Sequence, residues 1–442
     1  MGKTEKVFVK VKERLESESF ITKHRIKNNY FCRDRKLNFY TVIITLINKL
    51  SKSLNVEISK FMLNFKQGDL ATKQAFSKAR YKLDPEAFVD LNDTFVEAYY
   101  SSNTHRLYAN KYLVLAVDGS YYELPWFEDI VEEFGFANNP VMNFPKAMAT
   151  GVKIWDLLNE LSVVTKLGKY KESETAIFDG LWPAAAQCMK NWQPAPILLV
   201  ADAYYSGLGR MLELIERGVE FIMRCEYDFC REVLAFMEGE ASQAVLQIDL
   251  ASDHRRRWRL KKRGICTPPT QLKLRAVRLR LNDGTQVCLL SSIVGDELSE
   301  DQIMEIYSFR YGEEVSFYIE KFRTQVENFA TKMAKGIYQE WYANILCLNM
   351  TQLLVEEAQK ELDIEQLKKP KKYYYKINKS AAIGIVKDEI PKLLFGIEDS
   401  SHFIQRMIKI IYKFKEPVRP QRSFPRKTKH KLKYHMNQRK VL

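Results

Sequence analysis

The sequence predicts a mixed α/β core with helical regions at both ends, and three observations predict it. A continuous apolar run, Tyr112–Val117, reads as a buried strand. Strand-like and amphipathic stretches then alternate as far as residue 223. Residues 1–106 and 336–415 carry helical rather than alternating patterns.

The N-terminal region comes first. Phe39–Leu50 places apolar residues at helical spacing. Thr72 is a candidate helix cap, followed by Phe76, Ala79 and Leu83 on one face, and Asp84-Pro85 ends that helix and begins another. With Lys73, Lys78, Arg80 and Lys82 between the apolar positions, the pair suits either a helix-turn-helix DNA reader or an ordinary helical hairpin with a solvated basic face.

In the core, the strand Tyr112–Val117 runs into Asp118-Gly119-Ser120. Met148–Leu158 and Glu160–Leu167 follow as two strands joined near Asn159-Glu160. A helix begins near Ser173 with Ile177, Leu181 and Ala185 on one face, and Pro183 is expected to kink or end it. Ile197–Val200 is a buried strand ending at Ala201-Asp202, Gly207–Arg217 is amphipathic with Gly218 as its C-terminal cap, and Val219–Met223 is strand-like again. Strand, helix and strand with such short links imply a right-handed parallel crossover. Three strands, helix, strand, helix, strand is the order of an RNase H-like core.

Residues 224–297 break the alternation and read as a β-rich insertion. Arg255, Arg257, Arg259 and Lys261 alternate, as on one face of a strand. Gln271–Leu281 alternates apolar and polar residues with a change of phase at Ala276-Val277 that suggests a bulge, and Asn282-Asp283-Gly284 turns the chain into a partner strand, Val287–Ile293. Helix resumes at Ser299, where Gln302 completes a capping box, and Ala330–Glu361 is a further helix. Lys368-Lys369-Pro370-Lys371-Lys372 reads as a basic linker and Phe403–Tyr412 as another helix. From residue 416 to 442 the chain is a basic tail carrying Arg419, Arg422, Arg426, Lys427, Lys429, Lys431 and Lys433. The expected units are thus a helical DNA-binding region over 1–106, an RNase H-like catalytic domain over 107–335, a helical region over 336–415, and the basic tail over 416–442.

Composition narrows the function. The 442 residues carry a formal net charge of +14, which points to a polyanionic partner. Seven scattered cysteines without a C-x-x-C pair suggest reduced, structural thiols of a cytosolic protein and no zinc site. The apolar stretch Thr41–Leu50 is too short to span a bilayer, and the N-terminus lacks a signal-peptide core, so no membrane association is expected. Neither a phosphate-binding P-loop nor a dinucleotide fingerprint occurs, so no nucleotide cofactor is indicated, and G-x-S-x-G is absent.

Two groups of residues carry chemistry. Asp118 and Asp202 each sit at or just after the end of a buried strand, where α/β sheets build their sites. If those strands are neighbours, two hard carboxylates converge into a seat for Mg²⁺ or Mn²⁺. Further on, Tyr307, Arg310, Glu314 and Lys321 fall within an arc of roughly 60° if one helix carries them all. Gly312 allows the helix to begin later, leaving Tyr307 and Arg310 on the preceding turn. A helix laced by Arg310–Glu314 and Glu314–Lys321 ion pairs is the structural alternative.

The pattern Tyr-x2-Arg-x3-Glu-x6-Lys, preceded by Asp118-Gly119-Ser120 and Asp202, resembles the DDE transposases of bacterial insertion sequences, and more narrowly the insertion-sequence-four family with its YREK signature. Ser173-Glu174 and the phrase TKQAFSKARYKL are similar to that family too, and the resemblance spans residues 70–335. Where its members often place arginine after the second aspartate, this chain has Ala203. The resemblance implies an RNase H-like core interrupted by a β-rich insertion, and metal-dependent cleavage and strand transfer at the ends of a mobile element. Asp118, Asp202 and Glu314 would hold two Mg²⁺ or Mn²⁺ ions, and Tyr307, Arg310 and Lys321 would contact phosphates. Trp258 would stack on a flipped base, or else pack on the insertion's own hairpin; Arg255, Arg257 and Arg259, with Lys73, Lys78 and Arg80, would line the DNA. A homodimer on paired transposon ends and a bacterial, nucleoid-associated location follow from the same resemblance. Within the same broad chemistry, a metal-dependent nuclease and a catalytically silent DNA-binding descendant are the alternatives.

Overall fold

The computed structural model describes residues 2–33, 35–49, 53–66, 70–138, 145–281 and 284–419. The tail beyond Arg419 and the hairpin residues Asn282-Asp283 therefore lie outside the described residues. Six helices open the chain: α1 (Lys3–Glu16), α2 (Glu18–His24), α3 (Phe39–Asn48), α4 (Leu54–Phe65), α5 (Lys73–Arg80) and α6 (Glu86–Tyr100). Thr72 caps α5 as expected, its hydroxyl accepting from the Ala75 amide at 3.1 Å.

The core follows as β1 (Leu113–Glu123), α7 (Glu128–Phe134), the two-residue β2 (Phe136–Ala137), β3 (Lys146–Asp156), β4 (Leu161–Lys169), α8 (Glu174–Trp192), β5 (Ile197–Ala201), α9 (Leu208–Glu216) and β6 (Glu220–Cys225). β4, β3 and β1 form an antiparallel meander, and β5 and β6 add in parallel on the far side of β1. The order β4-β3-β1-β5-β6 is that of an RNase H-like fold, with α7 and β2 as an excursion between the first two strands.

Inside this core one expectation fails and another is narrowed. β1 does not stop at Asp118. Its parallel pairing with β5 ends at Val117↔Ala201, but it continues against β3 as far as Glu123. Pro183 does not end α8, which runs on to Trp192. The first-turn positions of a helix tolerate proline most easily, and here an interior one is held by packing of Phe178, Trp182, Ala185 and Ala186 into the core.

The insertion comprises α10 (Arg231–Glu238), β7 (Gln243–Asp249), α11 (His254–Lys262), β8 (Gln271–Arg280) and β9 (Gln286–Ser291). Its strands do not form a separate unit: β9 pairs with β6 and extends the core sheet through β8 to β7. The segment around Arg255–Lys261 is helical, not a strand. Asp253 caps it through the Arg255 and Arg256 amides, and Arg256 and Leu260, one turn apart, are its buried side. The expected bulge at Ala276-Val277 is also absent, since both pairings of β8 run through these residues without a shift. The apparent change of phase arises because β8 lies between two strands with Leu274, Arg275, Ala276 and Val277 all buried.

The chain ends with α12 (Glu300–Ser308), α13 (Tyr311–Tyr318), a π-helical turn over Ile319–Arg323, α14 (Ala334–Lys368), β10 (Tyr374–Ile377), α15 (Lys379–Leu394), α16 (Ser400–Tyr412) and β11 (Lys415–Val418). The Ser299/Gln302 capping box is formed. α14 is the axis of the molecule, packing on α1, α3 and α6, on α7 and β4 of the core, and on α15 and α16.

Candidate active site

The sheet brings the two aspartates together. Val117 and Ala201 are paired in register on parallel strands, so Asp118 and Asp202 are the next residues of neighbouring chains, about 4.8 Å apart in backbone spacing. Each is oriented by a local amide: Gly119 N–H donates to Asp118 Oδ1 and Tyr204 N–H to Asp202 Oδ1, both at 2.9 Å. Burial, reinforced by the charges of Asp202 and Glu314, pushes the Asp118 carboxyl up to about 6.

The Tyr-Arg-Glu-Lys residues sit on successive elements rather than on one helix. Tyr307 lies in the last turn of α12, Arg310 at the junction, Glu314 on α13 and Lys321 in the π-helical turn. Tyr307 is 3% exposed, packed with Tyr112, Val114 and Val200, so its ring backs Arg310 rather than facing solvent. Arg310 reaches Asp118 Oδ2 at 3.7 Å and Glu314 Oε1 at 3.4 Å. Burial works against its charge, but Tyr307, Asp118, Glu314 and Asp202 together raise its affinity for a proton. One guanidinium therefore bridges two of the acids that the sequence nominated, Asp118 and Glu314. Lys321 donates to Ser120 Oγ at 2.5 Å and to the Tyr121 carbonyl at 2.7 Å, tying the π-helical turn to β1 just past Asp118.

Beneath these residues is a buried network with no counterpart in the sequence patterns. Lys153, the cross-strand partner of Asp118, donates to Ser316 Oγ at 2.6 Å and Glu320 Oε1 at 2.5 Å, and Tyr122 donates to Glu320 Oε2 at 2.6 Å. Glu313 is wholly buried, neither of its oxygens has a hydrogen-bond partner, and burial together with the charge of Asp118 drives its carboxyl well upward. The one available signal was a lone lysine in the otherwise apolar strand of Ala147–Trp155, since a buried ammonium demands a partner. Glu174, at the start of α8, lies against Gly119 and accepts from the Tyr205 hydroxyl at 3.4 Å.

The donor chemistry fits a divalent metal: hard carboxylate oxygens, crowded until their charge is offset, with unpartnered buried oxygens alongside. Among the described residues, no three His, Cys, Asp or Glu side chains stand in metal-holding geometry, and the Arg310 guanidinium reaches both Asp118 and Glu314.

The remaining nominated residues divide. Arg255, Arg257 and Arg259 are exposed on α11, and Trp258 is 59% exposed with Lys262 over its ring at 5.4 Å. Lys73 and Lys78 are exposed on α5. Arg80 is a correction: it is 1% exposed, with its guanidinium held by Gln339, Glu340 and the Gly336 carbonyl of α14, and is not available to DNA. In the α5–α6 pair, α6 buries Phe88, Leu91, Phe95, Val96, Tyr99 and Tyr100, and its outer side carries Glu86, Asp90, Asp93 and Glu97, with Asp90 ion-paired to Arg14 and Lys23.

Residues 179–350 match the family model described as the transposase DDE domain. No curated protein matches. Among solved structures, the cryo-EM structure of the piggyBac transposase synaptic complex with hairpin DNA is similar, with a TM-score of 0.46 and 10% identity over 93% of this chain and 84% of that one. The matched segment of the family model begins inside α8 and takes in Asp202, the whole insertion, Glu314 and half of α14.

Proposed function

With a transposase DDE domain over residues 179–350 as the premise, we propose that Asp118, Asp202 and Glu314 are the catalytic acids of this DNA transposase. The enzyme is a polynucleotidyl transferase: it cleaves a phosphodiester at a DNA end and joins that end to another strand. Two divalent ions, Mg²⁺ or Mn²⁺, would neutralise charge on the phosphorane-like transition state and align the attacking and leaving oxygens. Asp118, Asp202 and Glu314 would hold them.

The protein's own groups supply the rest. Arg310 and Lys321 are cations at the rim of the acids, suited to the phosphates beside the scissile bond. Tyr307 buttresses the Arg310 guanidinium from the apolar side. Trp258, with Arg255, Arg257 and Arg259, offers an exposed ring among cations, a combination that suits an unpaired base and its flanking backbone. Lys73 and Lys78 would extend the phosphate path. Finer points of this reading are membership of the insertion-sequence-four family, a dimer on paired ends, and a cytoplasmic, nucleoid-associated setting.

The observation that carries the reading is the parallel register that sets Asp118 beside Asp202, with the Arg310 guanidinium in reach of both Asp118 and Glu314. It is tested by cleavage and joining of the element's own ends in Mg²⁺, comparing wild type with Asp118→Asn, Asp202→Asn and Glu314→Gln. Each variant should lose cutting while still binding DNA. Near-normal cutting by any one removes that residue from the site. Cleavage without joining by wild type would make the enzyme a nuclease.

A further inference from the structure

We infer that Glu174 is a fourth carboxylate of the divalent-cation centre, an inference that rests on the reading of Asp118 and Asp202 as ligands. A carboxylate at the first turn of α8 has an ordinary explanation, since acids there are stabilised by the helix dipole. That explains an acid facing solvent, not one folded back onto β1. A β-carbon built on Gly119 would lie 2.2 Å from Glu174 Cδ and 2.4 Å from Oε2, so the carboxylate occupies the space that a side chain at 119 would fill. Glycine immediately after Asp118 is what lets this group approach.

The approach is electrostatically unfavourable as the chain stands. The charged neighbours of Glu174 are Asp118 and Asp202, both anionic, and its one hydrogen bond is the Tyr205 hydroxyl at 3.4 Å. Among the described residues, no cation appears among the groups acting on it. A second observation points to a ligand independently. On the α13 side, Glu313 is fully buried with both oxygens unpartnered, and Asp118 is the foremost charge acting on it. Carboxyl groups thus approach Asp118 from two separate elements, α8 and α13, and a divalent ion bound there would be a partner for both. In this arrangement Glu174 would help to hold the ion from its place against Gly119.

Mn²⁺ binding to the full chain tests the inference without relying on turnover. Affinity is read by titration calorimetry, and the thermal midpoint is measured with and without Mn²⁺, for wild type, Glu174→Gln, Gly119→Ala and Asp118→Asn. Glu174→Gln should bind Mn²⁺ roughly 10–100-fold more weakly, with a metal-free midpoint no lower than wild type because a repelling charge has gone. Gly119→Ala keeps every carboxylate but displaces Glu174, and should weaken binding in the same direction. Wild-type affinity in either variant overturns the inference, as does a Glu174→Gln protein with a lowered metal-free midpoint and a full Mn²⁺-induced rise. Wild-type affinity in Asp118→Asn would instead overturn the assignment of the site itself.

Discussion

Arg310 is the residue on which the site turns. Its guanidinium is 11% exposed, lies over the Tyr307 and Tyr311 rings, and has its Nε buried without a partner. Such a group is costly to hold unless its other nitrogens are well used. In the chain alone they are used by Asp118 and Glu314; with metal and DNA present, phosphate oxygens become the better acceptors. Arg310→Ala and Lys321→Ala should each weaken the complex with the element's end, and each should lower the slope of log affinity against log salt by about 1. Unchanged slopes would mean that these side chains only brace the helix. The charges were readable from spacing alone. Their true placement was not, because α12 ends at Ser308 and the chain re-enters helix at Tyr311, so the four residues meet through a break that an ideal helical arc does not contain.

At the scale of elements, the acids and the sheet were legible because strand ends, parallel crossovers and caps are local in sequence. Asp118 and Asp202 were found by the apolar runs that precede them, and the register of β1 with β5 makes them neighbours. What was not legible depends on partners remote in the chain. Arg80 has the same composition of neighbours as the exposed Lys73 and Lys78, and only the docking of α14 shows that it is structural. Arg255–Lys261 alternates like a strand but is helical because Glu232 and the Asp249 carbonyl anchor Arg256. The Arg80 anchor yields a prediction of its own. Glu340 is fully buried, which alone would raise its carboxyl, but Lys49 and Arg80 hold it down to about 2. A carboxylate depressed in the folded state stabilises the fold above its unfolded value of 4.5, and that contribution is lost as pH falls toward 2. Arg80→Ala should therefore cost about 3–5 kcal/mol at neutral pH, and its stability should decline less steeply between pH 4.5 and 2 than that of wild type, as read by urea denaturation across that range.

The whole molecule is an anion binder with an uneven surface. The net charge of +14 does not lie on α6, whose outer side is acidic, but is concentrated on α11, on the exposed Lys368–Lys372 linker and in the sequence beyond residue 419. Deleting residues 420–442 removes Arg422, Arg426, Lys427, Lys429, Lys431, Lys433, Arg439 and Lys440. Non-specific duplex binding should then lose several counterions' worth of salt dependence, roughly 0.9 per phosphate contact removed, while recognition of the end sequence relative to random DNA changes little. An equal loss of sequence preference would place base readout in that segment.

The burial of α14 has a further consequence. Its residues from Gly336 to Ala358 are covered on nearly every side, by the opening helices on one flank and by the sheet on the other. A backbone so enclosed can swap its amide protons for deuterium only when both flanks let go together. The slowest-exchanging amides of α14 should share one opening free energy with those of β1 and α6, and a hinge between the amino-terminal helices and the catalytic sheet would betray itself as two distinct values.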